Sequence, residues 1–121
     1  DMLLSLREGK GGGKGGDQAA IKRGGAFALW CVGDDKTITW GHPGFGGDSS
    51  AVQDQFRGTQ HIQATTYAFA AILEDGRVVT WGRPDCGGNS SPVQEQLKGV
   101  RYIQSTYDAF AAILEDGRVV T

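Results

Sequence analysis

Two stretches of the chain are apolar without interruption, Ala68-Phe69-Ala70-Ala71-Ile72-Leu73 and Ala109-Phe110-Ala111-Ala112-Ile113-Leu114. A short run that is apolar on both faces predicts a strand buried between neighbouring layers. Each run leads through Glu-Asp-Gly-Arg into a β-branched segment, Val78-Val79-Thr80-Trp81 or Val119-Val120-Thr121. Asp-Gly between two such runs signals a hairpin, because glycine takes positive φ without steric cost. Gly76 and Gly117 are therefore expected at positive φ, with Asp75 and Asp116 as structural turn residues. Upstream of each apolar run the pattern alternates, in His61-Ile62-Gln63-Ala64-Thr65 and in Tyr102-Ile103-Gln104-Ser105-Thr106. Alternation predicts a further, half-buried strand.

These segments recur because the chain repeats itself. Trp40 to Thr80 and Trp81 to Thr121 are adjoining blocks of 41 residues, identical at 27 positions. A worn copy precedes them in Ala26-Phe27-Ala28-Leu29-Trp30-Cys31-Val32 and Thr37-Ile38-Thr39-Trp40-Gly41. A period near 40 marks stacked supersecondary units. Helical repeats need a helical periodicity that is absent, and a β-helix needs much shorter coils. Three strands per tandem unit is a propeller-blade pattern. The predicted fold is all-β, a partial β-propeller of about two and a half compact three-stranded antiparallel blades. Seven such blades would need about 290 residues, so the expectation is a segment of a larger ring, or one completed by another chain. An open end would expose strand edges.

Residues 1–20 read as a Gly/Lys-rich leader or linker, since Glu8 to Gly16 cannot bury a face. Residues 21–121 hold the propeller repeats, divided into 21–39, 40–80 and 81–121. After each Trp-Gly the pattern breaks into turns, Pro43-Gly44-Phe45-Gly46-Gly47 and Pro84-Asp85-Cys86-Gly87-Gly88. Ser49 to Phe56 reads either as a short helical turn with a serine cap or as a loop with one apolar anchor. Its counterpart carries Pro92, which suits a first helical position.

Composition narrows the function classes. The net charge is −2, which gives no nucleic-acid footprint. No apolar run approaches a membrane span, so this chain is not expected to insert into a membrane, though attachment to a membrane complex is open. Cys31 takes the place of Leu73 and Leu114, and Cys86 that of Phe45. Their unequal repeat positions predict two free thiols and an intracellular, reducing compartment, cytoplasm or plastid.

Candidate chemistry is thin. Gly11 to Gly16 fits G-x-G-x-x-G but lacks the strand, helix and acid of a dinucleotide site, and no P-loop is present. His42 and His61 do not recur and have no Cys or acid at metal-ligand spacing, so no metal or cofactor is expected. Ser49-Ser50 and Ser90-Ser91 read as caps or turn formers. Glu74-Asp75 and Glu115-Asp116 belong to hairpin turns. No catalytic residue is named. Trp40 and Trp81 read as blade-to-blade packing residues, and Trp30 as a bulky core substitution.

At Leu73-Glu74-Asp75-Gly76-Arg77-Val78-Val79-Thr80-Trp81-Gly82, and again from Leu114 to Thr121, the sequence resembles the regulator of chromosome condensation repeat family. The compact repeat is also similar to the three-stranded blades of the bacterial β-lactamase-inhibitor propeller. Gly-Gly-Asp-Ser-Ser-Ala-Val-Gln-Asp-Gln resembles long repeat arrays of dinoflagellate algae. The family's His at the start of the aliphatic strand is replaced by Ala68 and Ala109. The resemblance implies a propeller fold and a protein-binding role.

Repeat differences locate the candidate binding surface. They cluster in the turn after Trp-Gly and around the second strand. Arg83, Asp85, Arg101, Tyr102, Tyr107, His61 and Tyr67 are the candidate partner-binding residues. Aromatic and Arg side chains are favoured at interface centres. The expected function is a non-catalytic protein-interaction module with a protein partner. One alternative is a structural peripheral subunit of a larger assembly, which in an algal setting would be a photosynthetic membrane complex. Another, invited by the family, is a regulator of a small GTPase.

Overall fold

A computed structural model of the chain describes residues 2–6, 18–23, 25–33 and 35–121. The glycine–lysine tract from Glu8 to Gly16 lies outside the described residues.

The chain is all-β, built as consecutive antiparallel sheets in a partial, propeller-like array. Ten strands run in chain order: β1 Met2–Leu6, β2 Gln18–Arg23, β3 Ala26–Cys31, β4 Thr37–Gly41, β5 His61–Ala64, β6 Ala68–Ile72, β7 Val78–Gly82, β8 Val100–Ser105, β9 Phe110–Leu114 and β10 Val119–Val120. They form three sheets in the orders β1-β2-β3-β4, β5-β6-β7 and β10-β9-β8. The worn copy is thus a sheet in its own right. Its β2 stands where β5 stands in the second sheet, and β1 pairs along β2 from Met2↔Lys22 to Leu6↔Gln18. So β1 and the start of β2 fall in the stretch whose composition reads as leader.

The second sheet begins at the alternating strand β5 and ends at Trp81-Gly82, so the sequence repeat and the sheet are out of phase. The hairpin geometry follows the Asp-Gly turns. Gly76 and Gly117 have φ of 85° and 89°. Gly76 donates to the Leu73 carbonyl at 2.9 Å. The Asp75 and Asp116 carboxylates accept the backbone N–H of Arg77 and Arg118 at 3.0 and 3.1 Å, fixing both turns.

The connections between sheets are short 3-10 helices. Ser50–Gln55 and Ser91–Gln96 are the longer pair, and Pro92 lies in the first turn of the second. The capping serine is displaced by one role. Ser49 makes no side-chain cap bond. Instead Asp48 Oδ1 accepts the Ser50 N–H at 3.0 Å, and Asn89 Oδ1 accepts that of Ser91 at 3.1 Å. Ser49 and Ser90 tie the connection to the sheet, meeting Thr39 Oγ1 at 2.8 Å and Thr80 Oγ1 at 2.9 Å. Gln53 and Gln94 reach the Thr37 and Val78 carbonyls at 2.9 and 3.0 Å. The same network is built twice.

Core residues sit in two seams between consecutive sheets. Alternation along β6 divides its side chains between them. Phe69 and Ala71 enter the first seam with Ala26, Ala28, Trp30, Ile62, Phe56 and Trp81. Ala70 and Ile72 enter the second with Val100, Ile103, Leu97, Ala112 and Leu114. Every residue of β6 is therefore buried, as its doubly apolar sequence requires. Trp30 is core, with its ring edge-on to His61 at 6.1 Å between centroids.

Candidate functional site

Backbone links define two ends of the array. At one end the loop after Trp-Gly is tied to the turn before the apolar strand of the same sheet, and the second and third sheets meet once. His42 donates its N–H to the Gly25 carbonyl at 2.8 Å, Arg83 to Tyr67 at 2.8 Å, and Thr66 to Tyr107 at 2.9 Å. At the other end lie the Asp-Gly hairpins, where Val100 donates to the Gly76 carbonyl at 3.0 Å. The first end gathers the loops that follow Trp-Gly, and it carries a continuous ladder of side chains.

The ladder starts at the 3-10 turn Pro43–Phe45, whose cap is His42. The His42 Nδ1 accepts the Gly44 N–H at 3.1 Å, and its ring stacks on Phe45 at 3.9 Å. Phe45 lies against Tyr67 at 4.2 Å, tilted by 34°. The Arg83 guanidinium stands 5.7 Å from the Tyr67 ring centroid. Arg83 then pairs with Asp85 at 2.7 Å, an exposed pair that contributes little stability. Rings, cation and carboxylate thus cross from the loop after the first sheet to the loop after the second. A planar guanidinium over a ring stays partly desolvated and rotationally ordered. Such a surface meets a partner with few rotamers left to freeze.

The next step of the ladder is polar. The places of His42, Phe45 and Tyr67 are taken by Arg83, Cys86 and Asp108. Cys86 is buried, and the Thr65 hydroxyl donates to its carbonyl at 2.7 Å. Desolvation, and then the Asp85 carboxylate, raise its thiol above the ordinary pKa. Cys86 is therefore a packed thiol, and Cys31 is likewise free.

The structure thus divides the candidate residues into two groups. Tyr67, Arg83, Asp85 and Tyr107 share the turn end, and Tyr107 is 81% exposed there. His61, Arg101 and Tyr102 stand towards the hairpin end, where His61 pairs with Ile72 and Tyr102 with Ile113. A register shift between Val100 and Tyr102 turns Arg101 out of the ladder, and its guanidinium lies 5.7 Å from the Tyr102 ring. His61 is half-buried, and desolvation lowers its pKa below the ordinary value. It faces Trp30 and Gln63 rather than open solvent.

Two of the repeat differences are accounted for by local structure. Thr59 and Val100 are both buried, and Thr59 meets Thr37 across the first seam at 3.5 Å. Asp48 and Asn89 make the same cap. Two ladder members, His42 and Phe45, lie outside the seven candidate partner-binding residues. Both differ from their repeat counterparts, so the signal was present. What sequence could not give was the contact of Phe45 with Tyr67, 22 positions away.

Trp40 and Trp81 part company. Trp81 is 4% exposed, stacks on Phe69 and meets Phe56 edge-on, and its indole N–H donates to the Gly46 carbonyl at 3.1 Å. Trp40 is 44% exposed and stacks only on Phe27 of its own sheet, at 4.9 Å. It faces away from the first seam, and no sheet stands on that side among the described residues. It does not join two blades as the repeat pattern predicts.

No described helix is long and apolar enough to cross a membrane. No protein-family model matches the chain, and no curated protein matches it.

Proposed function

We propose that this chain is a non-catalytic protein-interaction module, and that it binds through the turn end of the array. The observation that carries the reading is the ladder from His42 through Phe45, Tyr67 and Arg83 to Asp85. It spans two connections, stays at the surface, and offers the residue types that dominate interface energetics. The turns beneath it are tied by backbone bonds, His42 to Gly25 and Arg83 to Tyr67 within a sheet and Thr66 to Tyr107 between sheets. The spacing of Glu-Asp-Gly and Trp-Gly, which resembles regulator of chromosome condensation repeats, supports a binding role.

A second reading, a structural subunit of a larger assembly, is favoured by a different observation. The outer faces of the first and last sheets expose Ile38, Trp40 and Val119. Large apolar side chains on an open sheet face are what a covering subunit would bury.

Affinity capture from a cell extract with quantitative mass spectrometry tests the first reading. Proteins retained by the native chain should be depleted when Tyr67 and Arg83 are both replaced by alanine, with near-ultraviolet circular dichroism unchanged. Equal retention by the double variant overturns the turn end as the binding surface. Loss only in a Trp40→Ala, Ile38→Ala variant supports the covering-subunit reading instead.

A further inference from the structure

The turn-end ladder is a row of hydrogen-bond donors ended by one carboxylate. The Nδ1 atom of His42 accepts the Gly44 N–H at 3.1 Å, so the neutral ring carries its proton on Nε2. The Tyr67 hydroxyl makes no hydrogen bond among the described residues and is free to donate. The Arg83 guanidinium is a planar fork of N–H groups with no acceptor. The anion in the row is Asp85, which meets Arg83 Nε at 2.7 Å and Nη2 at 3.4 Å. We propose that the partner of this face presents an aspartate or glutamate from an acidic segment and that Arg83 receives its carboxylate. Asp85 is then an internal competitor that occupies the fork until the partner arrives. This inference rests on the turn end being the binding surface.

The turn that carries the pair folds without it. The 3-10 turns Pro43–Phe45 and Pro84–Cys86 have the same shape. Their caps, His42 and Arg83, have φ of −63° and −68° and ψ of 120° and 123°. The closing glycines, Gly46 and Gly87, have φ of 105° and 101°. His42 supports its turn with a side-chain bond, whereas Arg83 makes none. Both turns are held by the same backbone bond, Gly47 to the His42 carbonyl and Gly88 to that of Arg83, each at 2.9 Å. Gly44 stands where the second copy has Asp85, so the first turn forms with no side chain there. Cation and carboxylate thus enter together in one copy, and the turn requires neither.

The pair is also built for exchange. The Arg83 and Asp85 side chains are 48% and 69% exposed, and an ion pair so open to water contributes little. Asp85 uses the Nε–Nη2 side of the fork, which leaves Nη1 for first contact with an incoming carboxylate. Tyr67 keeps the guanidinium in place meanwhile, 5.7 Å from its ring centroid, and is itself braced by Phe45 at 4.2 Å. A carboxylate taken bidentately by a positioned guanidinium forms one of the stronger polar contacts a protein surface makes. The Tyr67 hydroxyl and the His42 Nε2–H continue the row, so further acceptors of the same segment meet donors.

Long-range attraction plays no part. The net charge of the chain is −2, so an acidic segment is not drawn in from a distance. Recognition is by contact, where the fork geometry matters more than the charge alone.

The test titrates capped tetraglutamate, tetraglutamine and tetralysine peptides into the full 121-residue chain. NMR signals of the Arg83 Nε–H and of the Tyr67 and His42 rings report occupancy. Saturable shifts at these residues are expected with tetraglutamate alone. Asp85→Asn should tighten tetraglutamate binding about twofold to fivefold, the contribution of the exposed pair it no longer displaces. Arg83→Lys keeps the charge but not the fork, and should weaken binding several-fold. Binding of tetraglutamine as tight as that of tetraglutamate overturns the proposal, and so does binding of tetralysine at the same signals. An unchanged or weaker affinity in Asp85→Asn removes the competitor, and an unchanged affinity in Arg83→Lys removes the fork. No tetraglutamate binding sinks the carboxylate chemistry. If the Tyr67, Arg83 double alanine variant still loses proteins from the extract in that case, the turn end stands as the binding surface. If that variant retains them, both readings fall.

Discussion

The two seams of this protein are written with nearly the same residues and packed differently. Ala68 to Ile72 and Ala109 to Ile113 are identical in sequence. The first is buried throughout. The second alternates, with Ala112 enclosed while Phe110, Ala111 and Ile113 keep partial contact with solvent. Around the first copy a sheet stands on each side, and Trp81 closes the near seam. Among the described residues a sheet stands on one side of the second copy, and the seam is open beside Phe110. The lesson is that burial is a property of a strand's neighbours. An apolar-on-both-faces sequence states what the strand can bury, and the layers placed against it decide how much of that it does bury.

The tryptophans break or sharpen this contrast most strongly. Trp81→Ala should destabilise the fold by about 3–5 kcal/mol, since it empties a filled slot. Trp40→Ala should cost about 0.5–1.5 kcal/mol, the worth of its stack on Phe27. Urea denaturation followed by circular dichroism measures both. Equal losses would mean that the exposed tryptophan is covered in solution.

The hairpin glycines give a smaller, graded effect. Both are held at positive φ, where a Cβ costs about 1–2 kcal/mol. Gly117 has nothing within 4 Å of an added Cβ, so Gly117→Ala should lose about that strain alone. At Gly76 the added Cβ would meet the Gly99 backbone at 2.9 Å, across the second seam. Gly76→Ala should therefore cost about 1–3 kcal/mol more than Gly117→Ala, because the backbone must shift. Matching midpoints for the two variants would show that the hairpin of the second sheet is not pressed against the third.

The smallest effect is pH-dependent and belongs to the first seam. His61 is half-buried against Trp30, while its counterpart Tyr102 lies in the open. Desolvation lowers the His61 pKa from its ordinary 6.5 in the folded state. The unfolded chain then binds the proton more readily, so stability rises with pH through this range. The His61 contribution is complete above about pH 6.5 and is lost as pH falls through the folded-state pKa. Thermal melts between about pH 7.5 and 5 should show this decline, and His61→Tyr should flatten it. An unchanged slope in the variant would place His61 in solvent.

Much of the fold is legible in the residues themselves. Asp75-Gly76 and Asp116-Gly117 mark their hairpins, because only glycine takes that φ freely and the aspartate bonds two residues ahead. The apolar run and the alternating run mark β6 and β5, because side-chain direction alternates along any strand. The 41-residue period marks the stacking. The strand β2 was not legible, since Gln18 to Arg23 shares no pattern with His61 to Ala64. It is recruited by pairing with β3, a non-local bond. The candidate surface was half legible. Its loops show as repeat differences, but Thr59, Val100 and Cys86 differ for reasons of packing.

The sequence by itself determined the strands, their turns and the period, because these rest on φ preference and on the two-residue alternation of side chains. It also determined which side chains share a face. The tertiary structure decided which of two equivalent tryptophans is enclosed, and how fully each copy of the apolar strand is buried. It decided too that His42, Phe45, Tyr67 and Arg83 meet. Those outcomes depend on what lies across a seam or at the next loop, and no local term in the chain carries that information.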